Sequence, residues 1–299
     1  MSFNKKLRHF YNAVNSHPLA SKHKLKAYFK FVKWQISQTL KPGVRKISFA
    51  GNTLLLVKKG LTGATGNIYF GLHEFEEMSF LLHFLNAADT FYDVGANIGS
   101  YTILAAGVCG AKVCCFEPVP KTFYFLKENV RINKLDKSVT PFMVAVGAAK
   151  GNIKFTDTFD TVNHVVKEME GNQDSGIDVP VISLDDVPKN DYPALIKIDV
   201  EGYETEVLNG MKNLLKEPTL KAIIIELNGS GNRYGYNENL IHEKLLQHAF
   251  LPYTYDSFNR KLILLDQYRN SNTIYIRDTE IVQRKLKNAP LVKIFNNSF

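Results

Sequence analysis

Between residues 91 and 227 the chain alternates short apolar runs with longer segments whose apolar residues return every three or four positions. The short runs, many of them β-branched or aromatic, predict strands near 91–94, 112–116, 139–145, 194–200 and 220–227. The periodic segments predict helices near 99–107, 120–133, 203–216 and 237–248. Strands and helices in this alternation form crossover units, which implies an α/β fold around a mostly parallel sheet. Runs 251–255, 261–265 and 273–276 predict closing strands, with turns at 256–259 and 267–272.

Upstream, 45–50 and 53–58 read as two strands joined by Gly51-Asn52, a strong hairpin turn pair. A glycine-rich loop over 60–66 follows, then a segment of helical apolar spacing over 73–85. Two further runs, 151–155 and 179–184, flank a polar loop over 157–176, and a loop of that length predicts function or mobility. The chain divides into a helical leader (1–45), a main domain with an N-terminal hairpin (46–278, core 69–278), and a C-terminal helix with a loose tail (279–299).

Charge changes the picture at the leader. The whole chain has 37 basic against 29 acidic residues, a formal +8. Eleven of the basic residues lie in 1–46, a stretch with no acid, which leaves 26 against 29 elsewhere. Leu25, Tyr28, Phe29, Val32, Ile36 and Leu40 recur at helical intervals among these lysines, so the leader predicts a basic amphipathic helix. Three roles compete for it: docking on the domain, lying on an anionic membrane, or touching an acidic polymer. Nucleic acid is the least supported, because no recognition motif accompanies the charge. Cys109, Cys114 and Cys115 have neither metal nor disulfide spacing, and no apolar run has signal-peptide or membrane-spanning character. The expectation is a cytoplasmic protein, with residues 1–40 able to bring it to the inner membrane surface.

The first chemical signature is F-Y-D-V-G-A-N-I-G-S at 91–100, followed one helix later by C-F-E-P at 115–118. Strand, glycine turn, helix, strand, acid is the order of a nucleotide-binding unit, in which the acid reaches ribose hydroxyls. A dinucleotide site needs G-x-G-x-x-G to seat a pyrophosphate on the helix N-terminus. Here Asp93, Gly95 and Gly99 are spaced D-x-G-x-x-x-G, with Asn at position 97. That spacing suits a ligand with a ribose and no pyrophosphate, such as S-adenosylmethionine, and disfavours a nicotinamide oxidoreductase. The plainer alternative is a turn that needs glycine for backbone freedom alone.

The second signature is A-L-I-K-I-D-V-E-G-Y-E at 194–204. A buried strand delivers Asp199 and Glu201 to its carboxyl end, where ligands bind in open parallel sheets. The pair could bind a divalent cation, act as a base, or hydrogen-bond an acceptor; Glu201 or Glu204 could instead cap the next helix. Glu226, ending the run A-I-I-I-E-L, needs a partner if ionised: either Lys197, or an acceptor pocket shared with Asn228. His73-Glu74 and His164 fall near or in loops, where they could close over a pocket, although a structural or solvated role is the stronger expectation. The other histidines lack metal spacing.

Together, F-Y-D-V-G-A-N-I-G-S, F-E-P, I-K-I-D-V-E-G-Y-E and I-I-I-E-L resemble the FkbM family of S-adenosylmethionine-dependent methyltransferases, over roughly residues 69–276. The resemblance implies a Rossmann-like class I methyltransferase sheet of seven strands, mostly parallel with an antiparallel last strand, and methyl transfer to a hydroxyl. Acceptors in that family are sugars of glycans or glycolipids and polyketide hydroxyls. On this chain Asp93, Gly95, Asn97 and Gly99 would hold the methionine portion, Glu117 the ribose, and Val144 and Ala145 the adenine. Asp199 is the candidate base, with Glu201 second. The rival readings are an RNA methyltransferase using the basic leader, disfavoured because no N-P-P-Y or D-P-P-Y ends the fourth strand, and an inactive binding module of the same fold.

Overall fold

The computed structural model describes residues 3–156, 164–165, 176–188, 192–294 and 297–299. The leader contains two helices, α1 (Phe3–Ser16) and α2 (Lys24–Leu40). Phe10, Val14, Leu19, Ala20, Ala27 and Trp34 are buried in a cluster continuous with the main core, so the leader docks on the domain. The face it docks with is not the stripe that the sequence pattern picks out. Tyr28 packs on the core, but Leu25, Phe29, Val32, Ile36 and Leu40 face solvent.

Strands β1 (Arg45–Ser48) and β2 (Leu54–Val57) form the expected antiparallel hairpin, with Gly51 at φ +56° in its turn. The glycine-rich segment then departs from expectation: α3 (Thr62–Phe70) takes up most of it. Packing overrides the poor helix propensity of glycine here. Gly66 lies so close to the His73 ring that a Cβ would fall 2.3 Å from Nδ1, and Ala64, Asn67 and Phe70 are buried. Helix α4 (Phe75–Phe84) is buried on nearly every side, with Phe80 and Phe84 fully enclosed. Truncating either to alanine should cost about 3–5 kcal/mol.

The nucleotide-binding pattern follows as β3 (Thr90–Val94), α5 (Ser100–Gly107), β4 (Lys112–Phe116), α6 (Pro120–Ile132, opened by a proline at its first turn) and β5 (Val139–Phe142). Inside α6 the fully buried Asn129 accepts from Leu56 N (2.6 Å) and donates to Ile98 O (2.8 Å). One side chain thus ties the hairpin to the glycine turn. The strand expected over 139–145 ends early. Ala145–Val146 is a separate strand, β6, which joins β7 (Gly151–Phe155) and β8 (Ile177–Ile182) in a second sheet ordered β6-β8-β7. Most of the polar loop at 157–176 lies outside the described residues. His164 is buried and bonds Thr156 through its backbone.

The remaining elements are β9 (Leu195–Ile198), α7 (Glu204–Asn209), β10 (Ala222–Leu227), α8 (Glu238–Gln247), β11 (Leu251–Asp256), β12 (Lys261–Leu264), β13 (Ser271–Ile276) and α9 (Thr279–Asn288). The helix expected over 203–216 is broken at Gly210, where a Cβ would sit 2.0 Å from Gly147 O. A 3-10 turn, Leu214–Lys216, resumes after it, and Asp185 accepts from Asn213 N and Leu214 N (2.9 and 3.0 Å). The tail is docked rather than loose. After the short pair β14 (Lys293–Ile294) and β15 (Asn297–Ser298), Phe299 is buried, its ring 5.1 Å from that of Phe75.

The main sheet has the order β12-β11-β13-β10-β9-β3-β4-β5. Strands β5, β4, β3, β9 and β10 are mutually parallel, and β13 runs antiparallel between β10 and β11. These are the seven strands and the antiparallel last strand implied by the resemblance, with β12 added at the edge. Strand order reverses between β3 and β9, where a crevice opens beyond the strand ends.

Candidate active site

Register assembles the site. Asp93 on β3 pairs with Lys197 on β9, which pairs with Ile224 on β10. Two residues further along the same face stand Gly95, Asp199 and Glu226. Gly95 at φ +78° lets the two strand ends close up: a Cβ there would lie 1.8 Å from Asp199 O. Glycine is obligatory at this approach. Gly95 N and Ala96 N both donate to Phe116 O (3.0 Å), and Gly99, at φ +90°, starts α5.

Asn97 also has a left-handed backbone (φ +52°), and its N–H donates to Glu117 Oε2 (2.9 Å). The other Glu117 oxygen accepts from Val119 N (3.0 Å) and Thr122 Oγ1 (2.8 Å). Burial nonetheless pushes its pKa up to about 7. Asp93 is buried, with Oδ2 accepting from Thr102 Oγ1 (2.6 Å) and Oδ1 left without a protein partner. Burial raises its pKa, and Lys197 pulls against the rise. A buried acceptor oxygen without a partner is costly unless a ligand satisfies it.

Lys197, one of the two partners open to Glu226, bonds Asp199 Oδ2 at 2.7 Å, and its charge also acts on Glu226. Burial works against its charge, but Asp199, then Glu74 and Asp93, hold its pKa above the ordinary lysine value. Glu201, at φ +55°, does not cap the helix. Neither does Glu204, which accepts from Val200 N (3.2 Å) and Gly202 N (3.1 Å) and so braces the turn before α7. Asp199, Glu201 and Glu226 each present an oxygen within 4.8 Å of the others. Burial and then Asp199 raise Glu201 to about 7; burial, Asp199 and Glu201 raise Glu226 to about 8. Near neutral pH part of this cluster is therefore protonated and can donate hydrogen bonds.

These residues line one cavity of about 570 Å³, within the usual range for small-molecule sites. Glu117 borders it just past β4, Val144 to Val146 at β6, Asp93 to Asn97 at β3, and Asp199, Glu201 and Glu226 at β9 and β10. Asn228 is outside it: exposed, it accepts from Ser230 N (2.9 Å) and closes a turn. His73 and Glu74 line the cavity, whereas Val165 rather than His164 does so from the insert. Sequence reasoning missed the aromatic wall of Phe10 and Phe31 from the leader and Tyr69 and Phe70 from α3. Its rings stack directly, Phe10 on Phe31 at 4.1 Å between centroids. The signal available was an aromatic excess beside the glycine-rich segment.

The buried acids set a pH dependence of stability. Glu77 and Glu226 are raised to about 8, and Glu117 and Glu204 to about 7, in each case chiefly by burial. Above pH 4.5 the folded chain thus retains protons that the unfolded chain has released, and stability falls as pH rises toward 8. His17 and His83, lowered to about 4 by burial, act in the opposite sense below their ordinary 6.5. Between pH 6.5 and 8 the glutamates dominate, so thermal melts should give a lower Tm at pH 8, and Glu77→Gln should flatten the slope. A Tm that rises across this window would contradict the protonation of these acids.

The sheet order and the glycine turn define a Rossmann-like α/β fold with an acid-lined crevice beyond its strand ends. The Methyltransferase FkbM domain matches residues 93–252, just over half of the chain, and the chain belongs to that family. It is 33% identical over 147 residues to Hexuronic acid methyltransferase AglP of Haloferax volcanii, a match covering 46% of this chain and 56% of that protein. It therefore spans little more than half the length of this relative. Methyltransferase 1 of Beauveria bassiana is 23% identical over 175 residues, covering 51% of this chain and 70% of its own. Among solved structures, Methyltransferase FkbM from Methylobacillus flagellatus KT aligns with a TM-score of 0.45 and 17% identity, covering 74% of this chain and 56% of that one. No helix among the described residues is long and apolar enough to cross a membrane.

Proposed function

We propose that the protein is an S-adenosylmethionine-dependent O-methyltransferase whose acceptor is a hydroxyl of a sugar in a glycan or glycolipid. The observation that carries this reading is the convergence of Asp199, Glu201 and Glu226 beside the glycine turn, inside the cavity that Glu117 also borders. The residues fit the donor. Asp93 Oδ1 offers a buried acceptor, Gly95, Asn97 and Gly99 form the turn for the methionine portion, and Glu117 lies where ribose hydroxyls are gripped. Val144 and Ala145 offer an apolar border for adenine. When bound, S-adenosylmethionine supplies a methyl group already activated by its sulfonium charge.

What remains for this chain is to hold the acceptor and remove its proton. Alignment of the reacting groups can contribute up to about 7–11 kcal/mol. Asp199, fixed by the Lys197 ammonium, is the proton acceptor in this reading, and Glu201 is the second candidate. Protonated Glu226 can donate to a neighbouring sugar hydroxyl, while Asn228 takes no part. The carboxylate-rich rim favours a neutral hydroxyl over a phosphate chain, which argues against RNA as acceptor. A uronic acid, the acceptor named for the 33%-identical Haloferax volcanii relative, would have to turn its own carboxylate away from this rim.

Incubation with methyl-labelled donor and either extracted glycolipid or RNA tests the assignment: label is expected in the glycolipid. Donor binding without product in any acceptor pool would instead support a binding module. The same carboxylates offer a second reading, a divalent cation held by Asp199, Glu201 and Glu226. Because the Lys197 ammonium already balances Asp199, turnover is expected to survive EDTA. Loss of turnover with EDTA and recovery with Mg²⁺ would establish the metal.

A further inference from the structure

Helix α2 is apolar on two opposite sides. One side, with Ala27, Trp34 and the stem of Gln38, is buried against the domain. On the other side Leu25, Phe29, Val32, Ile36 and Leu40 are exposed by 87, 67, 52, 53 and 81%. Their spacing of four, three, four and four residues lines them up as one stripe along the whole helix. Scattered exposed apolar residues are ordinary on a soluble surface, but a continuous stripe marks an interaction site.

The charge around the stripe selects its occupant. Lys26 and Lys33 lie on the helix turns beside it, and Lys24 and Lys41 lie at its two ends, all four exposed. No acid occurs in residues 1–46. A second copy pairing through this stripe would bring these lysines against one another. A nucleic acid would match the charge and leave the five apolar side chains in water. An anionic lipid surface satisfies both, with headgroups for the lysines and acyl chains for the stripe. We propose that this face of α2 docks the protein on an anionic membrane, the helix lying in the interfacial plane. On the same helix Phe31, together with Phe10 of α1, walls the cavity. Docking would therefore hold the cavity beside the bilayer, where a lipid-linked sugar is displayed.

The test is flotation of the full-length protein with phosphatidylcholine vesicles, with and without phosphatidylglycerol, and it needs neither donor nor acceptor. Flotation with the anionic vesicles, weakened by high salt, is expected. The triple substitution Leu25→Ser, Phe29→Ser and Ile36→Ser should reduce the partition coefficient at least about tenfold. Lys26→Glu with Lys33→Glu should weaken binding at low salt. All five side chains are exposed, so the Tm of the variants should match wild type. Wild type that stays in the aqueous phase, or a triple variant that floats equally well, overturns the proposal. So does a wild-type dimer that the triple substitution converts to monomer, since a second copy would then cover the stripe. A negative flotation result leaves the methyltransfer reading intact.

Discussion

Asp199→Asn is expected to lower turnover by about 10²–10⁴-fold, the usual contribution of a positioned base, while leaving affinity for the donor close to wild type. Asparagine keeps an oxygen that can accept from Lys197, now 2.7 Å from Asp199 Oδ2, so the floor of the crevice should survive. The comparison that isolates the chemistry is Asp199→Ala. That change also strips a buried ammonium of its nearest partner, which typically costs about 3–5 kcal/mol. Glu74 and Asp93 remain near Lys197 and should hold the loss toward the lower figure. The two variants thus share a kinetic defect and differ in Tm. Should Asp199→Asn retain full turnover with an identified acceptor, Glu201 becomes the candidate base, and Glu201→Gln is the next measurement.

Gly95→Ala is the substitution expected to harm the fold most for the fewest atoms added. The new methyl would sit 1.8 Å from the carbonyl oxygen of Asp199, and the backbone at φ +78° is one that alanine resists. Relief requires moving the ends of β3 or β9, the two strands that bracket the crevice. A loss of at least about 3 kcal/mol is expected, with donor affinity falling alongside. Gly43→Ala is the control. Gly43 also has a positive φ, +141°, but nothing lies within 4 Å of its added carbon. Strain alone should cost about 1 kcal/mol there. Chemical denaturation of the two variants side by side separates the steric term from the conformational one. Equal losses would mean that β3 and β9 can part at little cost and that the crevice is not rigid.

How much of this was legible in advance depended on whether the cause was local. The D-x-G-x-x-x-G turn, the acid closing β4 and the strand carrying Asp199 were readable because periodicity and turn chemistry act over a few neighbouring residues. Asp93, Gly95, Asn97, Glu117, Val144, Ala145, Asp199, Glu201 and Glu226 all border the cavity. Gly99 is not among the lining residues and instead opens α5. Asn228 was misplaced because whether it faces the crevice or closes a turn depends on Gly229, at φ +85°, redirecting the chain. The partner of Lys197 stayed open for a related reason. The strand pattern puts Asp199 and Glu226 equally on its face, and the three-dimensional placement chose Asp199.

By itself, then, the sequence determined the alternation of strands and helices, the glycine turn, and the acids at the strand ends, since each follows from short-range stereochemistry and side-chain period. The tertiary structure decided which side of α2 is buried, that a glycine-rich segment becomes helix α3, and that leader aromatics wall the cavity. Those outcomes turn on contacts between residues far apart in the chain. An amphipathic pattern shows that a helix has an apolar face, but when both sides are apolar only the surface it meets selects between them.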